Sequence, residues 1–432
     1  MKTVKTFAKY ASLNSLGMLG VSFYVLADTL FISLAEGKNG LTALNLVLPV
    51  YSLLFAIGAM LGVGSATRFT ILRARGEEKA ERCFANAVEW GLAAGALFSA
   101  AGGLFPEGIV RLFGGSEEIV AVGAPYTMTF MLFSPFLILN HVFNAFVRND
   151  GAPAVAMAAT LTSSVSNVVL DYLFMFPLGM GMRGAALATG ISPTISIAIC
   201  SLHFFSKKNT IRLKPVLPSV RLLLSSCKLG AAAFVGEISS GVTTTVLNFV
   251  LLSISGNSAV AAYGVIANYS IVCCAVFNGI SQGAQPLISR AYAEGRKMDE
   301  KQLLSLAAGT ALCLSVIMLA AALLFAPEMT MLFNSEGSAE LAALAETGIR
   351  LYFTGFIFAG LNIVGTGYLS ATERAAAAFY ASIIRGFAAI TAFAFLLSAL
   401  LGITGVWLAF PAAELLTLFV TAFGILKKKA PR

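Results

Sequence analysis

The sequence predicts an all-α membrane protein in which twelve transmembrane helices form two pseudo-symmetric six-helix lobes around a central cavity. The 432 residues are 58% apolar and only 12% charged, whereas soluble domains have about 45–50% apolar and about 25% charged residues. Almost every apolar run reaches about 20 residues, which as a helix crosses a hydrocarbon core of roughly 30 Å. The alternation over ten-residue segments that is typical of an outer-membrane barrel is absent.

Apolar runs divide the chain into twelve predicted spans, numbered 1 to 12 in chain order. They cover residues 9–34, 41–66, 84–105, 121–146, 153–176, 184–206, 225–253, 258–286, 303–325, 343–369, 375–398 and 402–426. Prolines lie midway along several spans and permit kinks, because neighbouring helices or water can satisfy the freed backbone groups. These prolines are Pro49, Pro135, Pro193, Pro286 and Pro411.

Basic residues predict how the spans are oriented. Lysine and arginine concentrate in the N-terminus, in "RFTILRARGEEKAER", "KKNTIRLKPVLPSVR" and "RAYAEGRKMDEK", and in the tail "KKKAPR". The opposite side receives only Lys38, Arg111, Arg183 and Arg350. The positive-inside rule therefore puts both termini in the cytoplasm, and an even number of spans agrees. The positive-inside pattern accounts for the net charge of +8, so we expect no nucleic-acid partner.

The chain also repeats itself at an offset near 220 residues. "GLFPEGIVRLFGGSEE" (103–118) resembles "LLFAPEMTMLFNSEGS" (323–338), and the basic segments after spans 2 and 8 correspond. Six spans per copy means that both copies enter from the same side, which is the parallel type of repeat. We therefore predict an N-lobe over residues 1–206, a cytoplasmic linker over 207–224 and a C-lobe over 225–432. Two such lobes suggest transport by alternating access.

The stretch "SFYVLADTLFIS" in span 1 could instead end a signal peptide, since "VLA" fits a cleavage site and lysines lie upstream. Polar residues interrupt the run, however, and it continues to Leu34. Cleavage would also remove one span from two matched halves. We interpret the stretch as part of a span, so its aspartate, Asp28, lies within the membrane.

Acids inside spans are expensive and usually face a cavity or a partner, so each is a hypothesis about function. Asp28 and Asp171 lie about five or six residues before the outer ends of spans 1 and 5, Thr189 lies about five residues into span 6, and Asn167 is one helical turn before Asp171. These four side chains share one depth. Together they form a hard-oxygen set that suits Na⁺, or a proton held between carboxylates. Alternatively, each aspartate only bonds a neighbouring helix, since spans 1 and 5 need not touch.

Other ionisable groups in spans have more ordinary interpretations. Glu237, near mid-depth in span 7, is a possible second coupling or substrate site, or a structural hydrogen bond. Arg385 and Glu414 lie on adjacent spans at a similar depth, which indicates a buried ion pair. The six cysteines show no metal-ligand spacing and are interpreted as small buried apolar residues. No nucleophile, base or metal set for an enzyme is apparent.

The residues of spans 1, 2, 5 to 8 resemble a known family. The matching segments are "ADTLFIS", "GVGSATRFTILRARGEEKAER", "SNVVLDYLFMFPLGMGMRGAALAT", "GEISSG" and "GISQGAQPLISRAYAEG". With twelve spans in two lobes, the whole chain resembles the bacterial multidrug and toxic compound extrusion (MATE) transporters. The block across spans 5 and 6 carries most of this resemblance, with Asn, then Asp one turn later, then GxxGAAxAT.

The resemblance implies particular roles for these residues. Asp28, Asn167, Asp171 and Thr189 match the N-lobe positions that bind Na⁺ or H⁺ in the family, and Glu237 matches an acid of the C-lobe. One branch also has an aspartate in span 10, but "YFTGFIFAGLNIVGTGYLSA" contains no acid. The N-lobe site is therefore favoured over a C-lobe cation site. Asn144 in span 4 is a weaker candidate, grouped with Glu237.

The implied function is secondary antiport that exports amphipathic organic cations in exchange for H⁺ or Na⁺, in the cytoplasmic (inner) membrane. No GxxxxGK[ST] motif is present, so energy would come from a gradient, and no cofactor is expected beyond the ion. We expect a monomer surrounded by membrane lipid, and not an enzyme. The alternatives are a lipid-linked oligosaccharide flippase of the same superfamily, which would have a more cationic cavity, and a major-facilitator transporter, whose Gly-x-x-x-Asp-Arg pattern is missing.

Overall fold

A computed structural model of the protein describes residues 2–212, 217–334 and 338–427, and it contains no strand within them. The spans are the long helices Thr3–Gly37, Asn39–Ala74, Glu78–Leu104, Glu117–Leu132 with Ser134–Asn149, Pro153–Met175, Gly181–Phe205, Val220–Ala293, Lys297–Leu324, Ala339–Ala371, Ala375–Leu401 and Ile403–Leu426. Val220–Ala293 is two helices that meet at Gly256, whose backbone is not helical. Spans 7 and 8 are its two parts, so the described part of the chain contains the twelve predicted spans.

The helices expose apolar side chains and bury polar ones, as a protein surrounded by lipid requires. Large apolar side chains such as Leu97, Phe249 and Phe419 are about two-thirds exposed, while polar residues such as Asn167, Asp171 and Asn362 are buried. Within lipid only helices and closed barrels satisfy their own backbone groups, so continuous helix is the expected form. The fold class predicted from composition is confirmed.

The two halves share details that the repeat predicted only as sequence. Span 1 meets span 2 at Gly37 (φ 58°), and span 7 meets span 8 at Gly256 (φ 66°). Both glycines have the positive φ that other residues rarely adopt. The repeated segments also contain matching short helices, Pro106–Leu112 and Ala326–Met331, which the span prediction missed because they are too short to cross a membrane.

Spans 4 and 11 each depart from regular α-helix near their middle. Span 4 bends by 47° between Leu132 and Ser134. Pro135 occupies the first turn of its second part, where a backbone N–H would have no acceptor within the helix. In span 11 the residues Ile384–Ala389 form a π-helix, an arrangement often found at functional sites. Pro135 was expected to permit a kink, whereas nothing in the sequence predicted the π-helix.

The residues divide into two compact units. One comprises Leu16–Glu237, and its core includes the buried rings of Phe84, Phe130 and Phe146. The other comprises Met1–Ser15 with Ile238–Arg432. The start of span 1 packs within this second unit, where Ser15 Oγ donates a hydrogen bond to the carbonyl of Val276 in span 8, over 3.2 Å. The lobe and linker boundaries given above remain a prediction about domains.

Candidate functional site

Spans 5 and 6 bring three of the predicted site residues together. Asn167 and Asp171 lie one turn apart on span 5, and both are buried, as is Thr189 on span 6. With the Asn167 amide oriented to satisfy both of its ends, Nδ2 donates to Asp171 Oδ2 (3.1 Å) and Oδ1 accepts from the backbone N–H of Thr189 (3.3 Å). Asn167 therefore ties the carboxylate of one helix to the backbone of the next.

Span 1 packs directly on span 5, which places Asp28 near Asp171. Gly20 makes the close approach possible, because a Cβ there would meet Leu161 Cδ2 at 2.6 Å. Beyond Asp28, the ring of Phe31 lies 6.3 Å from that of Tyr172, centroid to centroid. Contacts on both sides of Asp28 thus hold the helices together, and the Asp28 and Asp171 carboxylates interact electrostatically.

Three oxygens of this cluster lack hydrogen-bond partners among the described residues. They are Asp28 Oδ1, Asp171 Oδ1 and Thr189 Oγ1, and all three are buried. A buried polar atom without a partner is costly, so the cluster is incomplete by itself. Oxygens from two carboxylates and a hydroxyl fit a hard monovalent cation, and the carboxylates fit a shared proton equally well.

Three tyrosines lie beside these carboxylates. The hydroxyls of Tyr24 and Tyr51 are 3.1 Å apart, and the Tyr51 ring stacks on Phe130, with centroids 5.1 Å apart. Tyr24, Tyr51 and Tyr126 all lie within electrostatic range of the Asp28 carboxyl. Sequence reasoning missed all three, although Tyr24 precedes Asp28 by one helical turn and so shares its face.

The two weaker candidates lie in different surroundings. Glu237 is exposed on span 7, and its carboxyl lies within electrostatic range of the Tyr24 hydroxyl. Asn144 Nδ2 donates to Ser196 Oγ (2.9 Å), and its Oδ1 accepts from Thr160 Oγ1 (3.1 Å). Asn144 therefore links spans 4, 5 and 6. Its partner Thr160 lies about 10 Å nearer the start of span 5 than Asn167 does, at 1.5 Å per residue.

The predicted pair of Arg385 and Glu414 is present. Arg385 Nε donates to Glu414 Oε1 over 2.6 Å, and the Glu414 side chain is only 2% exposed. Asn362 Nδ2 donates to Glu414 Oε2 (2.7 Å) and to its backbone carbonyl (2.8 Å). This cluster belongs to the unit that contains residues 238–432.

A second buried ionic group, absent from the sequence analysis, surrounds Asp150 at the end of span 4. Its carboxylate accepts hydrogen bonds from Arg73 Nη1 (2.6 Å), His203 Nε2 (2.8 Å) and both the hydroxyl and the backbone N–H of Thr210. Thr210 follows the last turn of span 6. No pattern in the sequence predicts this group, because its members come from four separate segments.

Comparisons with known proteins agree with this architecture. The MatE family model matches the chain twice, over residues 15–173 and 232–390, the same separation at which the sequence repeats. The multidrug export protein MepA of Staphylococcus aureus strain MSSA476 is 28% identical over 397 residues, which cover 90% of this chain and 86% of that protein. MepA of Staphylococcus saprophyticus is 26% identical over 394 residues, with the same coverage.

Solved structures share the fold. A multidrug resistance MATE family transporter of the MOP superfamily, in an outward-facing conformation, superposes with a TM-score of 0.92 at 22% identity, covering 98% of this chain and 95% of that one. A MATE crystal structure described as the straight conformation gives a TM-score of 0.91 at 22% identity, covering 98% and 96%. Its bent counterpart gives 0.87 at 22% identity, covering 99% and 97%.

Proposed function

The chain belongs to the MatE family, and on that premise we propose that it is a secondary antiporter that exports amphipathic organic cations in exchange for H⁺ or Na⁺. The multidrug export named for its MepA relatives supports the substrate class. We further propose that it lies in the cytoplasmic membrane with both termini inside, because the basic residues concentrate on one predicted side.

The observation that carries the coupling proposal is the set of unpartnered oxygens on Asp28, Asp171 and Thr189. Two carboxylates held together at membrane depth repel each other, and a proton or Na⁺ between them offsets that repulsion. Asn167 orients Asp171 for this purpose, since its amide is fixed on both sides. The Tyr24 hydroxyl, on the same helix face one turn before Asp28, is a further oxygen close to this pair.

Coupling requires that the ion prefer one conformation. An ion can shift an equilibrium only by the difference between its affinities for the two states. Span 1 contacts span 5 on both sides of Asp28, so a change in the charge between Asp28 and Asp171 acts on this helix contact directly. One proton exchanged per monovalent cation is electroneutral, and one pH unit then supplies about 1.4 kcal/mol, enough for roughly tenfold accumulation.

Transport by the purified protein in liposomes tests the proposal. Ethidium is supplied under an imposed pH gradient and then under a Na⁺ gradient, with wild type, Asp28→Asn and Asp171→Asn. Glu117→Gln is the control, because it removes an exposed carboxyl at the start of span 4. We expect one gradient to drive ethidium flux in wild type and control, and neither gradient to drive it in the two aspartate variants.

Two results would count against the proposal. If wild type moves no cation under either gradient, the antiport of organic cations is wrong. If both aspartate variants transport as wild type does, the coupling site lies elsewhere, and Glu237→Gln becomes the next variant to measure.

A further inference from the structure

The buried pair of Arg385 and Glu414 has donors and an acceptor that the pair itself does not use. Glu414 engages Arg385 through Nε alone, which leaves the two terminal nitrogens of the guanidinium. The one described group that bonds to the rest of the Arg385 side chain is the thiol of Cys274, a weak partner. Those two nitrogens carry four N–H groups between them, so most of their capacity to donate hydrogen bonds is unused.

The Arg385 side chain is also accessible, which a purely structural ion pair does not need. It is 24% exposed, against 2% for Glu414, and the π-helix Ile384–Ala389 presents it toward spans 8 and 12. A cation in a span faces the bundle interior or an aqueous cavity, not lipid. The terminal nitrogens of Arg385 can therefore be reached by a solute.

An independent observation points to a missing group beside this pair. Asn362 is fully buried, and its Oδ1 has no hydrogen-bond partner among the described residues. Its amide cannot simply be reversed, because Nδ2 already donates to two oxygens of Glu414. An acceptor and a guanidinium fork thus lie on either side of one carboxylate, both incompletely satisfied.

We propose that Arg385 is a binding site for the carboxylate of a zwitterionic substrate. A guanidinium recognises carboxylates through two parallel N–H bonds, and these charge-assisted bonds are about twice as strong as neutral ones. The pair with Glu414 is neutral, so a simple anion would add net charge at membrane depth. A zwitterion brings its own compensating cation, so the site stays neutral when it is occupied. As a subsite for exported compounds, this assignment rests on the proposed function.

Equilibrium binding to the full-length protein in nanodiscs tests the assignment without requiring transport. The probes are an amino-rhodamine with a free benzoate and the methyl ester of the same dye, followed by fluorescence anisotropy. Removing Arg385 alone would leave Glu414 buried and unpaired, so the main variant is the neutral double substitution Arg385→Gln with Glu414→Gln. Arg385→Lys keeps the charge without the fork, and Arg350→Gln is the control for loss of an exposed arginine.

We expect the free acid to bind the double variant about tenfold more weakly than wild type, as loss of hydrogen bonds to a charged group predicts. Arg385→Lys should lose part of the same affinity. The ester should bind wild type, both variants and the control within twofold of one another. Equal loss of acid and ester, or no loss of either, would overturn the proposal.

Cys274 provides a second readout that does not depend on the folding of any Arg385 variant. In a protein carrying Cys227→Ser and Cys313→Ser, the other cysteines besides Cys274 are buried. Saturating free acid should slow alkylation of Cys274 by a soluble maleimide, and the ester should not. Equal protection by both dyes contradicts a carboxylate site. If the acid preference is present but no gradient drives export, the antiport proposal fails while this assignment stands.

Discussion

Gly184→Ala should loosen the ion site without touching any of its side chains. Gly184 lies in span 6, five residues before Thr189, and it packs against Phe174 of span 5. A Cβ there would lie 2.9 Å from Phe174 Cβ and 3.0 Å from its carbonyl carbon. Backbone cannot swing aside as a side-chain end can, so spans 5 and 6 must separate by about 0.5 Å to restore ordinary contact.

That displacement is large enough to break one specific hydrogen bond. Asn167 Oδ1 accepts from the Thr189 N–H over 3.3 Å, already at the long end of the normal range. A further half ångström removes it and frees the amide that orients Asp171. We expect the half-saturating concentration of the coupling ion to rise roughly tenfold, with a loss of about 1–3 kcal/mol in unfolding free energy from overpacking.

The assay is ion-dependent ethidium flux in proteoliposomes, measured beside the thermal stability of the same preparation. Gly309→Ala is the matched control, since a Cβ on that helical glycine meets nothing within 4 Å. It should leave flux unchanged. A folded Gly184→Ala protein with the wild-type half-saturating concentration would refute the role given to Asn167.

Two further predictions concern groups that the sequence analysis did not identify. Asp150→Ala should lower the unfolding free energy by about 3–5 kcal/mol, because it leaves both the buried His203 and Arg73 without their shared carboxylate. Chemical denaturation measures this loss, and an unchanged midpoint contradicts it. Tyr24→Phe removes the hydroxyl 3.1 Å from Tyr51. The substitution should lower the unfolding free energy by about 1 kcal/mol. It should also raise the half-saturating concentration of the coupling ion, and an unchanged value would exclude Tyr24 from the site.

Hydropathy predicted the spans well because the bilayer imposes a strong one-dimensional constraint. The predicted span 5, residues 153–176, ends within one residue of the helix Pro153–Met175. The same constraint says little beyond the lipid, and span 2 continues eight residues past its predicted end, to Ala74. The bend of span 4 and the π-helix of span 11 depend on packing between helices, which hydropathy does not encode.

The common depth of the four site residues was predictable from counting along helices, since rise per residue is fixed. Whether span 1 touched span 5 was not, because contact depends on which helix face meets which neighbour. Two small residues of span 1, Gly17 and Gly20, show which face that is. In the structure both lie against span 5, next to Thr160 and Leu161. Small residues let helices approach closely in membranes, and that interpretation of the pair would have favoured a shared site.

The Asp150 group and the Arg385 group are both buried and charged, yet they indicate different roles. Asp150 has its hydrogen bonds filled by three side chains and one backbone N–H, which is the pattern of a group that holds segments together. Arg385 spends one of its donors on Glu414 and keeps its outer nitrogens accessible. Burial and charge are common to both groups. The difference is how many hydrogen bonds are already made, and unfilled capacity is therefore the better indicator of a ligand site than buried charge alone.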